Sequence, residues 1–182
     1  MSAEPPLLWS LGHSNQTLEE FLALVRANEL ARVVDVRRYP VSRRHPHFAR
    51  ESLALALPRA GVQYLHLVDL GGHREARPDS PNVALPEGPF RGYADHMRSS
   101  EFQRALAQLV TLAKERRTAV MCAEARVIDC HRRLLCDALT VRGVHVVHVQ
   151  RDGASEHALD PGARVIEGGL EYSRVAQKGL FD

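Results

Sequence analysis

Apolar residues in this chain fall into short runs that alternate with stretches of helical period. Leu7-Leu8-Trp9-Ser10-Leu11 is one such run, followed by Gly12-His13-Ser14-Asn15. Thr17 stands three residues before Glu20, a capping-box signal, and Phe21, Leu22, Leu24 and Val25 follow at helical spacing. This order predicts strand, loop, helix. Ala31–Val36 reads as a second strand and Val62–Leu67 as a third, with a helix around Leu53–Leu57 that stops near Pro58 and Gly61. Tyr93–Arg117 reads as one helix with Phe102, Leu106, Leu109, Val110 and Ala113 as its buried stripe, and Ser99 or Ser100 as a cap for its main segment. Thr118–Ala123 is apolar on both faces, as the middle of a parallel sheet requires. Asp129 is placed to cap a helix starting at Cys130, and Gly143 to end it. Val144–Val149 alternates Val with His, the pattern of an edge or half-exposed strand. Ala163–Leu170 suggests a small hairpin, or a strand and a tail.

Strands alternating with helices predict an α/β chain. We expect a single domain over residues 1–182, Rossmann-like, with a mostly parallel sheet of five strands or slightly more and helices on both faces. Residues 1–6 and about 174–182 are expected to be flexible ends. In such sheets ligands sit outside the carboxyl ends of the strands. His13, Arg37 and Glu124 each follow an apolar run directly or nearly so, which would bring them to that end together. The segment from Gly71 to Gly88, rich in Gly, Pro, Asp and Asn, is too long for an idle connection and reads as a functional loop or lid over the site.

Composition narrows the function classes. The net charge of +2 sets up no global field that demands nucleic acid. The charge is uneven, though: Arg37–Arg50 holds five arginines, two histidines and no acid, which favours a local anion site or a solvated basic loop. Three cysteines, Cys122, Cys130 and Cys136, do not suggest a disulfide framework. With no long apolar run and no signal-like start, a cytoplasmic protein without a membrane partner is expected.

Cys122-Ala123-Glu124 through Cys130-His131-Arg132 is the most informative segment. A carboxylate at a buried strand end suits general acid or base work, or a structural pairing with Arg37 or Arg132. Cys130, with His131 and Arg132 beside it, reads as a reactive thiol or as a small buried side chain. Arg132 opposes the dipole of a helix start, so it calls for a bound anion or a nearby carboxylate. The spacing of Cys122, Cys130 and His131 does not match the usual structural zinc patterns, so no metal site is expected and no cofactor is required. Asp35 and Arg37 share one side of their strand; with Ser42 and Arg43 they form an anion clamp, or else Asp35 anchors its own loop through Arg37. Ser14, Gly71 with Gly72, and Tyr93 complete the candidate substrate contacts. Tyr39, Phe48 and Tyr64 are further aromatics that fit base stacking or core.

In order along the chain, Gly12-His13-Ser14, Asp35-Val36-Arg37, Pro40, Ser42-Arg43, Pro46, Phe48, Leu70-Gly71-Gly72, Tyr93-Ala94, Glu101-Phe102, Cys122-Ala123-Glu124, Cys130-His131-Arg132 and Val147-His148-Val149 resemble the motifs of the domain of unknown function 488 family. The resemblance runs from about Leu7 to His157. It implies an α/β protein of the cell interior with a shared site, and no particular reaction. Through the glycine and histidine after the last strand it adds His157 to the candidate site. The linker Ala125–Asp129 is more apolar than in some members of that family.

These observations lead to an expected enzyme acting on a phosphate-bearing substrate, a nucleotide or a nucleic-acid base, by a hydrolytic step such as glycosidic cleavage. Arg37, Arg43 and Arg132 would hold the anion, Glu124 would be the acid or base, and His13 or His131 would assist. The alternatives are a non-catalytic module binding nucleic acid or a partner, and thiol chemistry at Cys130.

Overall fold

The alternation of apolar runs and helical stripes folds into a six-stranded sheet flanked by helices on both faces, a Rossmann-like α/β arrangement. The computed structural model describes residues 4–173. Of the ends expected to be flexible, 1–6 and about 174–182, residues 1–3 and 174–182 lie outside the described residues. Strands β1 (Leu7–Gly12), β2 (Arg32–Asp35), β3 (Gln63–His66), β4 (Thr118–Cys122) and β5 (His145–Gln150) all run parallel to one another. The sheet order is β3-β2-β4-β1-β5-β6, with β6 (Gly153–Glu156) antiparallel to β5.

Period two decides which helices each strand meets. In β1 and β4, Trp9, Leu11, Ala119 and Met121 face α1 (Leu18–Ala27) and α2 (Arg50–Arg59), meeting Phe21, Val25, Leu53 and Leu57. Leu8, Val120 and Cys122 face the opposite layer, built from α3 (Pro89–His96), α4 (Ser100–Glu115) and α5 (Arg132–Val141). Each fully buried side chain of that layer, such as Phe102 or Leu109, contributes about 1.5–3 kcal/mol by leaving water. Thr17 makes both halves of the capping box with Glu20.

Three local expectations are corrected. The single helix over Tyr93–Arg117 is two helices, because Ser99 takes extended backbone and accepts the Phe102 N–H to start α4. Strand β5 is not an edge: the turn at Arg151-Asp152 folds β6 back against it, so His148 is buried while His145 is exposed. Helix α5 starts at Arg132 rather than Cys130, since Cys130 is still extended, and Asp129 pairs with Arg126 instead of capping. The expected hairpin exists as β7 (Ala163–Ile166) with β8 (Gly169–Tyr172).

Chain direction sets where a ligand can sit. The path from β1 through α1 moves to one side of the sheet, and the path from β4 through α5 moves to the other. β1 and β4 are neighbours, so their carboxyl ends part into a crevice at this switch point.

Candidate functional site

The ladder between β1 and β4 continues past its last pair, Gly12 with Cys122. The His13 N–H donates to the Cys122 carbonyl at 2.9 Å and the Ser14 N–H to the Ala123 carbonyl at 2.8 Å. These bonds deliver His13, Ser14 and Glu124 to one mouth. Gly12 is required there by contact: a Cβ on it would lie 1.9 Å from the Glu124 carbonyl oxygen. The basic loop after β2 forms the opposite wall. The result is an open cleft of about 460 Å³ lined by His13, Ser14, Ser42, Arg43, Ala123 and Glu124, together with Asn15, Val41, Arg44 and His45.

Arg37 does not reach the cleft as a free cation. Its Nε and Nη2 donate to Asp35 at 2.9 and 2.6 Å, and its backbone N–H donates to Asp35 Oδ1 at 3.0 Å. Tyr64 donates its hydroxyl to Asp35 Oδ2 at 2.8 Å, and His66 donates to the Arg37 carbonyl. Asp35 is fully buried, so the pair anchors the start of the basic loop.

His13 stands in front of this pair. Its Nδ1 bonds the Ser14 carbonyl, its Nε2 lies 3.2 Å from Arg37 Nη1, and its ring stacks on Phe48. Burial, with the Arg37 charge beside it, lowers His13 from the usual 6.5 to about 4. His148 is likewise lowered to about 4, by burial and then by His157 and Arg132. Both imidazoles therefore stay neutral in the folded chain below the pH at which they charge in the unfolded one. Between pH about 6.5 and about 4 the unfolded chain binds more protons, so stability falls as pH falls through that window and is level above it. Urea unfolding at stepped pH reads this slope. It should shrink in His148→Gln, and an unchanged midpoint from pH 7 to 4.5 would contradict it.

Beneath Glu124 lies a sulfur-rich cluster. Glu124 is half-buried, and its Oε2 accepts the Cys122 S–H at 2.9 Å. His131 Nδ1 lies 3.9 Å from Cys122 Sγ and 3.8 Å from Cys130 Sγ, while its Nε2 bonds the Val36 carbonyl. Burial pushes the Cys130 thiol up, but the neighbouring Cys122 thiol, His131 and the Arg132 charge outweigh it and hold Cys130 well below the usual thiol range. Cys122 goes the other way, raised by the Cys130 sulfur beside it and by burial.

Arg132 is almost fully enclosed, and its role differs from the expected anion clamp. Its Nη1 donates to Ser10 Oγ, its Nη2 to the Glu124 carbonyl at 2.6 Å, and its Nε to Cys130 Sγ at 3.3 Å. At the helix start its guanidinium lies against the Cys130 sulfur and fixes the backbone of Glu124.

Gly71 and Gly72 serve close packing. A Cβ on Gly71 would lie 2.6 Å from the Arg38 nitrogen, and one on Gly72 would lie 2.7 Å from His131 Nδ1. Tyr93 is fully buried, donates to the Leu70 carbonyl and packs 4.9 Å from the His131 ring. The segment 71–88 does not cover the cleft. It is tied down on α3, where Asp95 accepts from Ser80, Asn82 and the Arg77 N–H. Its first part borders a second hollow with Arg38, Tyr39 and Arg74.

His157 sits apart from the cleft in a buried chain. It donates Nε2–H to Asp137 at 2.8 Å and accepts at Nδ1 from His148 Nε2 at 2.9 Å; Tyr172 also donates to Asp137. Cys136, His148 and His157 lie within metal-ligand reach of one another, as do Cys122, Cys130 and His131. The reading of the sequence missed Arg44 and His45 in the cleft wall, although both sit in the basic run it singled out. It also missed Ser10, Tyr64 and His66 as the partners of Arg132, Asp35 and Arg37. Tyr64 and His66 were legible as same-face polar positions on β3.

A protein-family model described as "Domain of unknown function DUF488" matches residues 17–139, more than half of the chain. No curated protein and no solved structure matches. Among the described residues no helix is long and apolar enough to cross a membrane.

Proposed function

For a chain that belongs to the DUF488 family, whose description names no activity, we propose an enzyme that binds a phosphate-bearing substrate in the β1/β4 cleft and uses Glu124 as its general acid or base. One observation carries this reading: Glu124 lines the same cleft as Ser42, Arg43 and Arg44. A non-catalytic basic patch would instead present its arginines on an open face away from any acid. The anion contacts fall to Arg43, Arg44 and Ser42, because Arg37 and Arg132 are committed to Asp35 and to Cys130, Ser10 and the Glu124 carbonyl. Nucleotides are the first class to screen and hydrolysis the first reaction, since a carboxylate beside bound phosphate can take a proton from water. His13, with both ring nitrogens occupied, acts as a fixed neutral wall.

Calorimetric titration with inorganic phosphate and with nucleoside monophosphates tests the binding half. Replacing Arg43 and Arg44 together with Ala should weaken binding about 10–100-fold, the worth of one or two charge-assisted hydrogen bonds. Arg74→Ala, in the second hollow, should leave it unchanged. Binding that survives the double replacement but is lost with Arg74→Ala would move the site.

A further inference from the structure

We propose that Cys122, Cys130 and His131 form a binding site for a zinc-type divalent cation, with Glu124 beside the open fourth position. The proposal deepens the reading above and rests on it for the role of Glu124; the metal site itself stands on separate geometry.

The distances come first. Zinc bonds of about 2.3 Å to sulfur and about 2.0 Å to nitrogen in a tetrahedron put sulfur and nitrogen roughly 3.6 Å apart. His131 Nδ1 lies 3.9 and 3.8 Å from the two sulfurs. The three ligand atoms all fall within 4.8 Å of one another, so small side-chain shifts would complete the cage.

The surroundings are those of a ligand set. His131 Nε2–H donates to the Val36 carbonyl at 3.0 Å, which leaves the Nδ1 lone pair pointing at the sulfurs. Tyr93 packs on one side of the ring and Gly72 comes up close to Nδ1, so the ring cannot swing away. Arg132 directs its backbone N–H and Nε–H at Cys130 Sγ, at 3.5 and 3.3 Å, as donors to a thiolate. Two soft sulfurs and an imidazole select zinc over magnesium or calcium.

The spacing that spoke against a metal has a structural answer. Cys130 is extended at φ −126° and ψ 145°, and His131 turns into the helix at φ −57° and ψ −18°. Consecutive residues thereby bring their side chains to one point, which ligand templates built on helical or loop spacing do not anticipate. The other cluster, Cys136 with His148 and His157, is a weaker candidate. Both nitrogens of His157 are already spent, on Asp137 and on His148.

Three protein ligands and one open position make a water-activating site rather than a closed structural one. Glu124, two residues after Cys122, keeps its Oε2 2.9 Å from that sulfur and also faces the cleft. A ligand followed two residues later by a non-ligating glutamate is how zinc deaminases of nucleobases handle their water. Here the metal-bound water would pass one proton to the Glu124 carboxylate, leaving a hydroxide on the ion.

Titration of the reduced, chelator-stripped full chain with Co²⁺ alone tests the site. The expected result is one equivalent bound, with thiolate-to-cobalt charge-transfer absorption and the strong visible bands of a four-coordinate ion, displaced by Zn²⁺. Cys122→Ser and Cys130→Ser should each lower Co²⁺ affinity by more than the 10–100-fold typical of losing a mere supporting group; Cys136→Ser should not. X-ray absorption of the zinc-loaded wild type needs no variant and should show sulfur and imidazole together. No uptake, a shell of nitrogen and oxygen alone, or binding lost only with Cys136→Ser would overturn the site. Those outcomes leave phosphate binding by Arg43 and Arg44 standing, and a failure of phosphate binding leaves the cobalt result standing.

Discussion

Glu124→Gln should leave the fold and phosphate affinity unchanged while lowering turnover about 10²–10⁴-fold, the usual worth of a positioned general acid or base. The replacement keeps the shape of the side chain and an oxygen to accept the Cys122 S–H. It keeps the backbone carbonyl that Arg132 holds. It loses the ability to take and return a proton. The substrate for the measurement comes from a screen of nucleotides, nucleosides and damaged DNA, with product release followed directly. KM should move little and kcat should carry the loss, because the proposed anion contacts, Arg43 and Arg44, are untouched by the replacement. A variant that turns over within twofold of the wild type would place the proton transfer elsewhere.

Asp35→Ala should lower the free energy of unfolding by about 3–5 kcal/mol, the cost of breaking a buried ion pair from one side. Arg37 is 6% exposed and its partner 0%, so the remaining guanidinium cannot rotate into water. The carboxylate also satisfies the Arg37 backbone N–H and the Tyr64 hydroxyl. Urea denaturation measures the loss. Combining Asp35→Ala with Arg37→Met removes the stranded charge and should recover a large part of it. If the double variant is as unstable as the sum of the singles, the two side chains do not act as a pair.

Residues with one dominant physical demand were legible in the sequence. Strands β1, β2 and β4 are buried on both faces, and their short apolar runs have few alternatives. The capping box at Thr17 and the stop at Gly143 are local hydrogen-bond and φ requirements, so they too were readable. Strand β6 was not, because Gly153-Ala154-Ser155-Glu156 is exposed throughout and owes its place to pairing with β5. The candidate site divides in the same way. That Glu124 and His13 meet at the strand ends follows from topology. Whether an arginine serves a ligand or its own chain depends on who else reaches it, and Asp35 and Cys130 settle that only in three dimensions. The sequence spacing of Cys122, Cys130 and His131 fits no metal-ligand template, whereas the turn at Cys130 gathers their side chains.

The long segment from Gly71 to Gly88 has a consequence in time. Asn82 is fully buried, and its Oδ1 accepts the backbone N–H of Tyr172, which lies 90 residues later, while Ala84 donates to the Tyr172 carbonyl. During synthesis at about 5–20 residues per second, the segment therefore waits roughly 5–18 s after its own translation before its fastening strand exists. A nascent chain halted just short of β7 should be cut by protease within 71–88, at positions that the finished protein shields.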